Sequence, residues 1–90
     1  MSTPLDDLTL AIEAQERAEE RLAKAAHALA EAEEAAEDDP DSVAAVERCL
    51  KQYAAAEAAV GFARGRRREL EAQLDPAEVV GVHAILAVGR

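Results

Sequence analysis

Each of the three prolines follows a side chain that can cap a helix: Thr3-Pro4, Asp39-Pro40 and Asp75-Pro76, with the capping residues 36 positions apart. Proline suits the first position of a helix, where its missing N–H is no loss. A Thr or Asp before it can accept from the orphan amides. The chain therefore parses into three helix starts. The spacing predicts a helix over 4–38, a turn at 38–41, a second helix over 40–74 and a short apolar segment over 76–89.

Composition says what such helices can bury. The 90 residues make one small domain, near the size at which a single core is marginal. Half are hydrophobic, but 23 of those are Ala and only 9 are Leu, with one Tyr, one Phe and no Trp. Alanine favours helix strongly yet buries little area, so helices should form around a thin core. Another chain is expected to complete it, in a homo- or hetero-oligomer.

The first long segment carries a heptad grid. One row is Leu8, Gln15, Leu22, Leu29 and Ala36, and the row beside it is Ala11, Ala18, Ala25 and Ala32. Rows three and four residues apart share a helix face, which makes this a coiled-coil seam narrow enough for close approach. In the second segment the rows are Val46, Tyr53, Val60, Arg67, Leu74 and Ser42, Cys49, Ala56, Ala63, Leu70. The short break predicts antiparallel neighbours. Folding about residues 39–40 pairs Ala32 with Val46, Ala25 with Tyr53 and Ala18 with Val60, small against larger. The same register sets Glu13 and Glu16 opposite Arg66 and its neighbours. Gln15 and Arg67 fall on the seam at the open end, which should make that end more polar and looser. The expected fold is all-α, an antiparallel two-helix hairpin with a short apolar C-terminal helix.

Two features stand apart from the seam. Residues Val79, Val80, Val82, Ile85, Leu86 and Val88 crowd the last segment, with Gly81 and His83 among them. The β-branched residues argue for a strand, but Asp75-Pro76-Ala77-Glu78 is a helix start, and a helix is favoured. Apolar on nearly every side, it must be covered, either by its own hairpin or by a partner. The charged outer face of the first segment offers it little apolar surface, which leans toward a partner. The second feature is the row Ala54, Ala58, Gly61 and Gly65 on the side of the second helix away from the seam. Glycine in an exposed helix interior costs about 1 kcal/mol relative to Ala. A second backbone packed against that face would give a reason for it; a kink is the plainer alternative.

Signals for other chemistry are weak. The net charge of −9 disfavours nucleic acid or an anionic membrane surface as the main partner. Within it, Arg64-Gly65-Arg66-Arg67-Arg68 is a basic knot, more readily answered by Glu13, Glu16, Glu19 and Glu20 on the facing helix, or by an acidic patch on another protein, than by phosphate. Cys49 on the seam reads as a buried thiol, and one cysteine can form no disulfide within the chain. His27 and His83 belong to no metal or catalytic spacing, and no glycine-rich phosphate loop is present. No stretch reaches the roughly 20 apolar residues needed to span a bilayer, and residues 1–7 lack a signal-peptide pattern. A cytoplasmic location, or incorporation from the cytoplasm into a larger particle, is expected. Tyr53-Ala54-Ala55-Ala56-Glu57 fits the loose Y-x-x-x-[DE] pattern of type VII secretion substrates, and the chain resembles the small helical WXG proteins in size and topology. The departure is decisive, because Asp38-Asp39-Pro40-Asp41 holds no W-x-G and packing accounts for Tyr53.

The expectation is a non-enzymatic structural or interaction protein without cofactor or metal. It would be a helical subunit of an assembly such as a phage particle, secretion machine or regulatory complex. It would dock through the small-residue row and the apolar segment. The alternatives are an acidic regulatory binder, antitoxin- or inhibitor-like, that occupies a basic protein site, and a nucleic-acid accessory acting through Arg64, Arg66, Arg67 and Arg68.

Overall fold

The computed structural model describes residues 3–89. All regular structure among them is helical, in two long helices and one short: α1 (Pro4–Asp38), α2 (Val43–Ala72) and α3 (Pro76–Val88), with a 3-10 turn at Pro40–Ser42 between the first two. The last segment is thus a helix, in spite of its β-branched residues.

The starts of α1, of α3 and of the 3-10 turn before α2 are built as the cap-proline pairs require. Thr3 Oγ1 accepts from the Asp6 N–H at 3.1 Å, and Asp6 Oδ2 accepts in return from the Thr3 N–H at 3.4 Å. This is a capping box in which Asp takes the role more often given to Glu. Asp75 accepts from the Ala77 N–H at 3.0 Å. Asp39 serves both sides of the break. Its N–H closes the end of α1 on the Ala35 carbonyl at 3.1 Å, while Oδ1 accepts from the Asp41 N–H at 3.0 Å. Its backbone is extended (φ −136°, ψ 105°), as the residue before proline requires.

The second helix is shorter at both ends than the expected 40–74. At Pro40–Ser42 the chain is wound into a 3-10 turn, held by the Ser42 N–H on the Asp39 carbonyl at 3.0 Å. The C-terminal limit is Ala72, because Asp75 precedes a proline and is extended (φ −65°, ψ 139°). The last turn tightens on the way out: Gln73 N–H donates to Leu70 O, and Leu74 N–H to Glu71 O.

The molecule is a rod. Its extents are 55 × 23 × 21 Å and its radius of gyration is 17.8 Å, against about 12 Å for a compact domain of this length. α1 packs along α2, and α3 packs on α1.

Burial is concentrated at one end of the rod. Leu8 is fully buried, in a cluster with Ala11, Ile12, Leu70 and Val82, against which Leu74, Val79 and Leu86 also pack. Ala56, Val60 and Ala63 are buried along α2. Toward the turn, Leu22, Leu29, Ala32, Val46 and Cys49 are only half-buried, and Val43 is exposed. This reverses the expectation that the end near Gln15 and Arg67 is the looser one. α3 covers that end and adds Val82 to it, which the two-helix seam did not include. Ile12 lies off both heptad rows, but it is one turn on from Leu8 and shares its face.

Substituting Leu8 by Ala should lower stability by about 2–5 kcal/mol through the lost apolar contact and the cavity left. Leu10, 56% exposed two residues on, should change stability by no more than about 0.5 kcal/mol when cut to Ala. Urea unfolding followed by circular dichroism reads both.

Candidate docking surface

α3 has two differently employed sides. Val79, Val82 and Leu86, spaced three and four residues apart, face the core cluster of α1 and α2. Val82, grouped by sequence with the partner-facing residues, is 7% exposed and therefore belongs to the interior. The apolar floor it needs comes from Leu8 and Ile12, so the first helix is less polar at this end than its overall charge implied. A polar tie supplements this packing, with His83 Nε2 lying 3.3 Å from Glu71 Oε1 on α2.

The other side of α3 is bare. Val80, Ile85 and Val88 are 67%, 74% and 87% exposed. Beside them runs a groove of about 350 Å³ between the start of α1 and α3, walled by Leu5, Asp6 and Thr9 on one side and by Glu78, Gly81, Val82, Ile85 and Leu86 on the other. A shallower apolar surface continues past it over Ala84, Ile85, Val88 and Gly89.

The small-residue row lies on α2. Ala54, Ala58 and Gly61 are exposed and Gly65 is half-buried. A methyl group placed on either glycine would meet nothing within 4 Å, so none of the described residues uses the room they leave. The helix runs unbroken through both, which argues against a kink. Phe62 stands between them, 78% exposed, over a depression bordered by Arg66 and Glu69.

Of the other predicted seam residues, Ala11 is buried, while Ala18, Ala25 and Tyr53 are half-buried. Tyr53 sits beside Glu57, whose hydrogen bond and negative charge raise the phenol's pKa above its ordinary value.

The arginine knot is largely engaged within the chain. Arg64 Nη2 reaches Glu19 Oε1 on α1 at 3.3 Å. Arg67 donates to Gln15 Oε1 and to Glu71 Oε1, both at 3.1 Å. Arg66 lies 3.9 Å from Glu69 on its own helix, while its neighbours Arg64 and Arg67 make the ties to the first helix. With His83 on Glu71 and Gln15 on Glu19 at 3.0 Å, one polar chain joins all three helices. The heptad rows gave no signal for His83, whose role depends on where α3 lands.

Cys49 is half-buried. Among the described residues no three His, Cys, Asp or Glu side chains gather into a metal-binding set, and no helix is long and apolar enough to cross a membrane. In comparison with known proteins, the chain matches no family model, and no curated protein or solved structure is significantly similar to it.

Glu19 offers a direct check on the polar chain. The hydrogen bond from Gln15, then that from Arg64 with its positive charge, holds its pKa below the ordinary 4.5. A carboxylate with a depressed folded-state pKa contributes stability that is present above the unfolded value and lost as the pH falls through the folded one. In an NMR titration of the full chain, the Glu19 carboxyl should titrate below 4.5. Gln15→Ala should move it upward, and Arg64→Ala should do so as well.

Proposed function

We propose that this chain is a non-enzymatic interaction subunit of a larger protein assembly. In this reading α1 and α2 form an antiparallel hairpin along a close-packed alanine seam. Supporting that arrangement, the ties Gln15–Arg67 and Glu19–Arg64 advance along α1 while they retreat along α2. The hairpin is a stiff strut, and α3 is the element it presents.

The observation that carries the proposal is the row Val80, Ile85 and Val88, left exposed on a helix whose opposite side is anchored in the core. A helix apolar on one side needs only the cover this chain supplies; α3 is apolar on both. The total accessible surface, 6365 Å², is roughly a quarter more than a compact monomer of this mass exposes. Contact with a partner along α3, and along Ala54, Ala58, Gly61 and Gly65 on α2, would cover part of this excess. The mechanism is shape: apolar side chains held at fixed spacing, with little ordering cost on binding.

Net charge favours one other reading, an acidic binder of a basic protein site, in which the carboxylates of the α1 outer face make the contact. Site-specific photo-crosslinking in the native cell separates the two. A photoreactive side chain at Ile85 or Gly61 should capture a discrete partner, whether another protein or a second copy, while the same group at the exposed Glu33 should capture none. Capture from Glu33 alone would favour the acidic binder, and no site-specific adduct from Ile85 or Gly61 would overturn the docking proposal.

A further inference from the structure

We infer that the groove between the start of α1 and α3 receives a basic amphipathic helix of another protein, an inference that rests on α3 being a docking element. The walls have the spacing of a helix seat. Leu5 and Thr9 are one turn apart on α1, and Glu78, Gly81 and Ile85 recur along α3 at spacings of three and four, with the buried Val82 beside them at the edge of the core-facing side. An apolar channel between two helices is the usual receptor for a third that inserts apolar residues at i, i+3, i+4 and i+7. Gly81 lies in the middle of the wall, where an added methyl would meet nothing within 4 Å. The space in front of it is open for an incoming side chain or backbone.

Charge selects the occupant. Among the described residues two carboxylates, Asp6 and Glu78, line the groove, and no basic side chain does. Asp7 and Asp75 add negative charge at the same two helix starts. Asp6 has one oxygen engaged in the capping box, and the Glu78 carboxylate has no bonding partner among the described residues. These acids sit where helix N-termini favour them. That placement also puts both on the rim of one apolar groove. A second copy docking about a two-fold axis would bring the same acids against them, and like charges in a closing interface are unfavourable. An anionic membrane surface would meet the same repulsion. A helix with an apolar stripe flanked by Lys and Arg satisfies floor and rim together.

The test uses the full chain and two fluorescent helical peptides of about 18 residues with one Leu stripe, flanked by Lys in one and by Glu in the other. By anisotropy at moderate salt, the Lys peptide should bind at least about tenfold more tightly than the Glu peptide, and the preference should shrink as salt rises. Amide shifts should centre on Leu5, Thr9, Gly81 and Ile85. Glu78→Lys should weaken binding of the Lys peptide severalfold. Gly81→Leu should raise the melting temperature, since it removes a glycine from a helix, and yet abolish binding by filling the groove. Equal affinity for the two peptides, or undiminished binding to Gly81→Leu, would overturn the inference. If neither peptide binds while the crosslinker at Ile85 captures a partner, the basic-helix assignment fails and the docking surface stands. If the crosslinker captures nothing either, both fail.

Discussion

The structure depends on the burial of Val82 among Leu8, Ile12 and Leu70, where three helices meet. Alanine seams bring helices close but remove little apolar surface from water, and most of the rod away from this junction is half-buried at best. The buried Leu and Ile side chains of α1 and α2, namely Leu8, Ile12 and Leu70, are gathered at one end. There α3 turns a two-sided contact into an enclosed one. Fixing a short helix by one face is also what leaves its other face available. The same thirteen residues complete the fold and carry the exposed row.

The caps determine where this happens. Asp75 stops α2 by the extended geometry that Pro76 imposes on it, then starts α3 by accepting from the Ala77 N–H. The Asp39-Pro40 pair acts similarly at the other end of the rod, with the difference that Asp39 first closes α1 on Ala35. The evenly spaced caps thus limit the two long helices, and α3 then starts beside the start of α1. Polar bonds follow the same layout, with Glu71 held from α2 by Arg67 and from α3 by His83.

Much of the helical layout could be read from the sequence because its signals are local. A cap and a proline define a start without reference to the rest of the chain, and the two long helices and one short helix follow from three such pairs. The turn at Pro40–Ser42 was less legible: 3-10 and α geometry share those starting residues, and the choice is made by the hydrogen bonds of Asp39. Less legible still was the split personality of the last segment. Val79, Val80, Val82, Ile85, Leu86 and Val88 look alike as apolar residues, and nothing local says which will meet Leu8. That sorting comes from the angle at which α3 lands on α1, a tertiary fact. The burial of Ile12 and the tie of His83 to Glu71 leave no mark in the heptad rows for the same reason, since their partners lie on another helix.

Val82 anchors α3 to the first two helices of its own chain and leaves Val80, Ile85 and Val88 outward. Methyl nuclear Overhauser effects on the full chain, recorded on a mixture of differently isotope-labelled copies, test it most directly. Effects are expected between Val82 and Leu8, Ile12 or Leu70 within one chain, at every protein concentration, with none from Ile85 or Val88 to Leu8, Ile12 or Leu70. Effects from Val82 that arise only between chains, or their absence altogether, would contradict it.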